Sequence, residues 1–143
     1  MKISNVSFLP TQRVRNFLTQ FIPEEPGCYE LALADGNYSI EHRGHRPCNF
    51  TIERGSDNQL TLHELVEFCG AEGECAIGGL VESNRFDFSL RACYFEFVGR
   101  LAIEAPFETE VSDVFDLFAQ NIVTNYEIGS YDLVSVKKLV TGE

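Results

Sequence analysis

The sequence predicts an α+β fold in which an antiparallel β-sheet is covered by about three amphipathic helices. Short segments that alternate apolar and polar residues, joined by turn signals, predict strands linked by hairpins. Three segments with apolar residues three and four positions apart predict the covering helices. The 143 residues, 44% of them apolar, are enough for one hydrophobic core, so we expect residues 1–143 to form a single domain. The predicted order is α-βββ-α-ββ(β)-α-β.

Two of the predicted helices have clear beginnings. Thr11 is the predicted N-cap of the first helix, because its side chain can accept a backbone N–H of the first turn, and Pro23 ends that helix. The third begins near Thr109 or Ser112, where early acidic residues favour the positive end of the helix dipole. Their apolar faces comprise Val14, Phe17, Leu18 and Phe21 in the first, and Val111, Val114, Phe115, Phe118 and Ile122 in the third.

The second predicted helix spans residues 61–69. Thr61 and Glu64 have the spacing of a capping box, and Leu60 stands where a hydrophobic staple would pack on Leu65. Gly70 follows, at the position where helices often end. The apolar residues that recur at the spacing of one helix face are Leu62, Leu65, Val66 and Cys69.

The remaining segments alternate in polarity and predict strands. The strand at 28–34 ends in an Asp-Gly pair, a type I′ hairpin signal, which leads into a strand through Tyr38 and Ile40. Residues 83–85 predict a turn, and a change of phase near Ala92 predicts a bulge or a strand that changes its buried face. The other predicted strands are 48–52, 75–82, 86–97, 101–105 and 131–140.

A single core is expected between the sheet and the helices. Its members are the apolar residues that the two periodicities place on inward faces. The residues predicted to be mostly buried are Phe17, Phe21, Leu31, Leu33, Ile40, Phe50, Ile52, Leu65, Val66, Phe86, Phe88, Phe115 and Phe118.

The net charge of −11 is unevenly distributed. Residues 1–54 are balanced, whereas residues 101–136 contain seven acidic side chains and no Lys, Arg or His. Such a surface repels nucleic-acid phosphates and anionic lipid, and it attracts basic protein surfaces. We therefore expect a protein partner, with no direct nucleic-acid binding and no membrane binding. The predicted partner-binding acids are Glu104, Glu108, Glu110, Asp113 and Asp116.

The local basic cluster is the loop at residues 41–47. Arg43 and Arg46 flank Gly44, and a guanidinium can hold a phosphate or a carboxylate in a bidentate fork. The same arginines can instead pair with the acidic second half, within the molecule or across a dimer, and this interpretation is favoured. Both arginines are predicted partner-binding residues.

Cysteine and histidine give no recognisable metal motif. His42, His45 and Cys48 have an H-x2-H-x2-C spacing, and Cys69 and Cys75 are further potential ligands, but the pattern matches no familiar zinc site. We expect the purified protein to contain no stoichiometric zinc.

No arrangement typical of an enzyme is found in the sequence. His63 and Cys69 would lie about 120° apart on a helix, there is no calcium-loop spacing, and the glycines near residue 78 are not followed by a phosphate-loop Lys-Ser/Thr. We expect a non-enzymatic chain without a cofactor. The five cysteines are scattered and odd in number, and no apolar run resembles a signal peptide or a membrane span, so we expect a cytoplasmic protein.

Residues 27–36, GCYELALADG, follow the first helix and open the sheet. This segment resembles the small-x-Leu-x-apolar-x-Asp hairpin of class I chaperones of type III secretion systems, and the likeness covers about residues 11–122. The resemblance implies a homodimer, formed through the second helix and neighbouring strands, that holds an unfolded effector segment on apolar grooves without a cofactor.

These observations favour a non-enzymatic, acidic protein-binding module, in the leading form a secretion-chaperone-like holder of an exported client. The alternative is an acidic inhibitor, such as an immunity or phage anti-defence protein, that blocks a basic nuclease or nucleic-acid-binding complex by imitating phosphates. A small enzyme or ligand-binding domain is the third class.

Overall fold

A computed structural model describes residues 1–36, 38, 45–70, 80–96 and 98–140 as one sheet and two α-helices. The α+β class and the antiparallel sheet are confirmed. The elements are β1 Lys2–Ile3, α1 Gln12–Thr19, β2 Gly27–Ala34, β3 Cys48–Arg54, β4 Leu60–Gly70, β5 Leu80–Asp87, β6 Ala92–Phe95, β7 Gly99–Ala102, a 3-10 turn Ala105–Phe107, α2 Glu108–Glu127 and β8 Leu133–Leu139.

The eight-stranded sheet has the order β7-β6-β5-β4-β3-β2-β8, in which every neighbouring pair is antiparallel. The short β1 pairs in parallel with the beginning of β4, where β5 does not reach. Directly opposed residues share a face, so one row of side chains crosses the whole sheet. That row is Val136, Leu31, Phe50, Leu65, Phe86, Cys93 and Leu101.

Both helices pack on the face that carries this row. The Phe115 ring of α2 lies 5.6 Å from the ring of Phe86 and 5.3 Å from that of Phe88, in edge-to-face contacts. In α1, Val14 and Leu18 are fully buried in the same cluster. The opposite face of the sheet is therefore not covered by a helix among the described residues.

The first and third predicted helices are confirmed. Thr11 caps α1, its Oγ1 accepting a hydrogen bond from the Val14 N–H at 3.4 Å, and α2 begins at Glu108. The predicted core is also largely correct. Phe21 and Phe118 are partly buried, Ile40 lies outside the described residues, and the buried members are Phe17, Leu31, Leu33, Phe50, Ile52, Leu65, Val66, Phe86, Phe88 and Phe115.

The second predicted helix is wrong: residues 60–70 form β4, the longest strand, at the centre of the sheet. Ile52 lies opposite Leu62 and Thr51 lies opposite Glu64, so His63 is an extra residue in a β-bulge. The bulge puts Leu62 and Leu65, three positions apart, on the same face. This spacing imitates one turn of a helix.

Two further details of the predicted strands are corrected. Residues 83–85 lie inside β5 and are not a turn, and the phase change near Ala92 is a tight turn between β5 and β6, with Arg91 N–H donating to Phe88 O at 3.2 Å. The final predicted strand is confirmed as β8. Tyr38 lies outside any strand, and most of the predicted strand at 75–82 falls outside the described residues.

Candidate functional site

An apolar groove of about 460 Å³ opens where the helix cover of the sheet ends. Leu101 of β7 closes the row that crosses the sheet, yet 47% of its surface is exposed. Phe107, in the 3-10 turn, is 55% exposed, and Val114 continues the apolar wall on α2. The remaining apolar lining is Cys93, Phe95, Ala102 and Val111.

Two of the predicted partner-binding acids, Glu104 and Glu110, line this groove. Both side chains are exposed, and neither makes an ion pair within the described part of the chain. A third predicted acid, Asp113, is exposed one turn further along α2. The groove thus has apolar walls and an anionic rim, and its two rim carboxylates are not neutralised by any cation in the described part of the chain.

The other two predicted acids have internal surroundings. Glu108 accepts hydrogen bonds from Ser7 Oγ at 2.8 Å and from Arg91 Nη1 at 3.4 Å, and the Ser7 hydroxyl followed by the Arg91 charge holds the pKa of Glu108 below its usual value. Asp116 is half-buried, and burial, reinforced by the charge of Asp113, raises its pKa. Through its hydrogen bond from Ser7, Glu108 holds the N-terminal segment to α2.

Of the two predicted arginines, Arg43 lies outside the described residues. Arg46 pairs within the molecule, with Nη1 at 2.8 Å from Glu96 Oε1 and 3.3 Å from Glu67 Oε1. The hydrogen bond to Glu96 raises the pKa of the Arg46 guanidinium, which is charged in any case. The sequence favoured pairing of these arginines with the acidic second half, within the molecule or across a dimer, and Arg46 makes such a pair within the molecule.

The groove lies beside an edge of the sheet. β7 is the last strand on its side, and its outer edge pairs with no strand among the described residues. Such an edge presents backbone N–H and C=O groups to an incoming extended segment. Leu101 projects towards the helices, so a strand added next to it would direct alternate side chains into the groove.

The potential metal ligands that the structure describes do not converge. Within the described residues, no three His, Cys, Asp or Glu side chains form a group that can hold a metal ion. Burial raises the pKa of the Cys48 thiol to about 12, which keeps it protonated. The backbone N–H of His45 donates to Asp35 Oδ2 at 3.1 Å. His42 and Cys75 fall outside the described residues.

A family model, described as a protein of unknown function, matches residues 16–137. The chain belongs to the DUF2787 family. No curated protein sequence matches this DUF2787 chain significantly.

Two solved structures share the fold. One is the hypothetical protein VC0508 from the VSP-II pathogenicity island of Vibrio cholerae, with a TM-score of 0.71, 14% identity, and coverage of 89% of this chain and 92% of that one. The other is VC1805, from pathogenicity island VPI-2 of V. cholerae O1 biovar eltor, with a TM-score of 0.70, 18% identity, and coverage of 89% and 93%. VC1805 is described as sharing structural homology with the human P32 protein. At these identities the likeness establishes the fold alone.

Sequence patterns missed the apolar half of the groove in this DUF2787 chain. The patterns place Leu101 in a strand and Val114 on a buried helix face, and they place Phe107 in no element. All three line the groove. The signal that points to them is the recurrence of large apolar residues within the stretch that lacks basic residues. Separately, no helix in the described ranges is long and apolar enough to cross a bilayer.

Proposed function

We propose that this DUF2787 protein is a protein-binding module whose groove holds an extended segment of a partner by non-covalent contact and carries out no chemistry on it. The observation that carries the proposal is the groove itself: its apolar walls open at strand β7, whose outer edge pairs with no described strand, and Glu104 and Glu110 lie at the rim. The proposed occupant alternates apolar and polar residues and carries Lys or Arg at its ends.

Each part of the occupant matches a part of the site. Its backbone extends the sheet at β7, which supplies affinity without sequence preference. Its apolar side chains cover Leu101, Phe107 and Val114, and this removes exposed apolar surface from water. Its cations meet Glu104 and Glu110, which select against acidic segments.

The chaperone-like form of this function is the leading version, in which the groove holds an exported client before release. The homodimer implied by the secretion-chaperone resemblance used a helix at residues 61–69, whereas those residues form the central strand β4. A dimer would therefore use another surface. We propose the outer edge of β8, which pairs with no strand in the described ranges and where Leu133, Val134 and Val136 are exposed. We further propose a cytoplasmic location, in keeping with the free cysteines of the described chain.

The second candidate function is an acidic inhibitor of a basic protein. The observation that favours it is the exposure of Glu104, Glu110 and Asp113 without an intramolecular cation in the described ranges. Carboxylates spaced along a helix can compete with phosphates for Lys and Arg. In this version the acids contribute most of the binding, and the apolar walls contribute little.

Selection of peptides tests the groove without knowledge of the partner. A phage-displayed library of random peptides is enriched on the wild-type protein and on Phe107→Ser. We expect the wild type to select peptides that alternate apolar residues and carry Lys or Arg, and we expect Phe107→Ser to weaken their binding by about tenfold or more.

The matched control is Ile128→Ser, since Ile128 is 69% exposed and lies at the other end of α2, away from the groove. It should bind the selected peptides as the wild type does. Peptides that bind both variants equally, or a selection that yields no sequence dependent on Phe107, would contradict the proposal.

A further inference from the structure

A second cavity, of about 720 Å³, lies on the face of the sheet opposite the helices and shares no lining residue with the apolar groove. Its wall is largely polar and is formed by β1, the β3–β4 turn and the adjoining parts of β3 and β4. Ser4, Glu53 and His63 all line it. These three residue types are those of a nucleophile, a carboxylate and a base.

His63 is held by both ring nitrogens. Its Nε2 lies 2.7 Å from Glu53 Oε1, and the carboxylate, as an acceptor, fixes the proton on that nitrogen. The other ring nitrogen, Nδ1, is then unprotonated and carries a lone pair. It accepts hydrogen bonds from the hydroxyls of Ser4 and of Ser89, the latter at 3.1 Å. In this tautomer the imidazole is ready to take a proton from a serine.

The fold accounts for the meeting of these side chains. His63 is the extra residue of the β4 bulge, which turns its ring to the helix-free face between Leu62 and Glu64. On β1, Ile3 is buried in the core, so the next residue, Ser4, projects to the opposite face. The Ser4 N–H donates to Leu62 O at 3.0 Å and fixes the distance between the two strands there.

The backbone next to Ser4 is held in an unfavourable conformation. Asn5 has φ of 56°, and Arg91, whose Nη1 donates to Asn5 O, has φ of 50°. Asn5 Nδ2 also donates to Ser89 O at 3.0 Å. A positive φ is uncommon in residues other than glycine, and such conformations concentrate at functional sites because the surrounding contacts must hold them.

We propose that Ser4, His63 and Glu53 form a hydrolytic centre that cleaves small esters. Ser4 Oγ attacks the ester carbonyl carbon while its proton passes to His63 Nδ1, and the carbonyl electron pair moves onto oxygen. When that pair returns, the bond to the alcohol oxygen breaks and His63 gives its proton to the alcohol. His63 then takes a proton from water, whose oxygen attacks the acyl carbon. The acyl–Ser4 bond breaks, the acid is released, and His63 returns the proton to Ser4 Oγ. Glu53 is a positioning residue that holds the imidazole in the required tautomer.

The charges of the cavity indicate which esters enter it. Glu53 and Asp57 both line the wall, and Lys2 is the cation among the lining residues. With a net charge of −11 on the chain, anionic substrates are repelled. The substrate class is therefore small neutral or cationic esters, and phosphorylated or carboxylated esters are excluded.

A fluorophosphonate probe tests the centre on the full chain, because its phosphorus forms a covalent bond with an activated serine and fluoride leaves. We expect a single adduct, mapped to Ser4 by mass spectrometry of peptides, and release of 4-nitrophenol from 4-nitrophenyl acetate that is lost together with the adduct in Ser4→Ala. Ser135→Ala is the matched control, since Ser135 is exposed on β8 and does not line the cavity; it should label as the wild type does.

The role of Glu53 is tested by conservative replacement, because its side chain is half exposed and its loss leaves the core intact. We expect Glu53→Gln to slow labelling by about 100-fold, a loss typical of a general base with the wrong tautomer, and Glu53→Asp to restore part of the rate. A purely structural tie between β1 and β4 predicts equal rates for all three proteins. An adduct at Ser89, no adduct at all, or ester hydrolysis that survives in Ser4→Ala would each overturn the proposal.

Discussion

Arg46 and Glu96 join the loop before β3 to the turn that follows β6, with Arg46 Nη1 2.8 Å from Glu96 Oε1. The same nitrogen lies 3.3 Å from Glu67, on the central strand β4. The Oε1 atom of Glu67 also accepts hydrogen bonds from Ser83 Oγ and Asn84 Nδ2. One guanidinium therefore neutralises two carboxylates that are mostly enclosed by the sheet.

Replacement of Arg46 should destabilise the protein more than the loss of an exposed ion pair. The Glu67 and Glu96 side chains are only 21% and 24% exposed, so Arg46→Ala leaves two carboxylates with little access to water and should cost about 1–2 kcal/mol. Lys138→Ala, which breaks an exposed pair with Glu25 at 3.0 Å, should cost less than about 1 kcal/mol. Urea unfolding of both variants measures the difference. Equal costs would show that Arg46 is solvated like a surface residue.

Substitutions at Phe115 and at Phe107 should have different effects on stability, because Phe115 lies in the core and Phe107 lines the groove. Phe115 is fully buried against Phe86 and Phe88, so Phe115→Ala should lower the free energy of unfolding by about 3–5 kcal/mol. Phe107→Ala removes a ring that is 55% exposed and should cost less than about 1 kcal/mol. Urea melts provide both values. A shift below about 1 kcal/mol for Phe115→Ala would mean that α2 does not pack on the sheet through this face.

Segments with a single clear period were predictable, as α1, α2, β2, β3 and β8 demonstrate. Strand β4 was not, because its bulge adds His63 and turns a two-residue period into a three-residue one. Thr61 and Glu64 imitated a capping box, but in the structure Thr61 lies opposite Glu53 and Glu64 accepts from Arg85 at 2.9 Å. Local spacing cannot distinguish a bulged central strand from a short helix.

Only the acidic residues of the candidate site could be predicted from the sequence. Glu104 and Glu110 were found because the sequence around them lacks basic residues. Leu101 and Phe107 were missed, because whether an apolar residue is covered depends on where α2 ends its contact with the sheet. Similarly, the meeting of Ser4 with His63 depends on a parallel pairing of strands 59 residues apart in the chain, for which no local pattern exists.

Stability should fall as the pH rises above about 9. Burial raises the pKa of the Cys48 thiol to about 12 and that of Cys93 to about 11, from an ordinary value of 9.0. A raised pKa in the folded state means that only the unfolded chain gains thiolates between pH 9 and the folded pKa, so the stabilisation is complete below pH 9 and is lost above it. At pH 10 the loss relative to neutral pH should reach about 1.4 kcal/mol for Cys48 and less for Cys93, which is less deeply enclosed.

Urea unfolding at pH 8, pH 9 and pH 10 measures this loss. Cys48→Ala should show a smaller decrease between pH 9 and pH 10 than the wild type, because one of the two thiols is gone. Tyr131, whose pKa burial also raises, contributes in the same direction to both proteins. An identical slope in the two proteins would contradict the assignment to Cys48.

Charge reversal distinguishes the chaperone-like function from the acidic inhibitor. Glu110→Lys and Glu24→Lys each change the net charge from −11 to −9, but only Glu110 lines the groove. Glu108 is unsuited to this test, because its reversal would break the contacts with Ser7 and Arg91. With a peptide selected on the groove, Glu110→Lys should slow association by about tenfold at low ionic strength, since steering acts on the rate of encounter, and Glu24→Lys should have little effect.

The dependence of peptide binding on salt concentration also distinguishes the two functions. Exposed charges act over about 30 Å at 0.01 M ionic strength but only about 3 Å at 1 M, so binding that depends on the acids should largely disappear at the higher value. Binding that depends on Leu101 and Phe107 should persist there, because burial of apolar surface is not screened. We expect the dissociation rate to change little with salt and the association rate to fall. A complex that survives both the high salt and Glu110→Lys would eliminate the phosphate-mimic function and leave the apolar holder, whereas loss of all binding at 1 M would favour the acidic inhibitor.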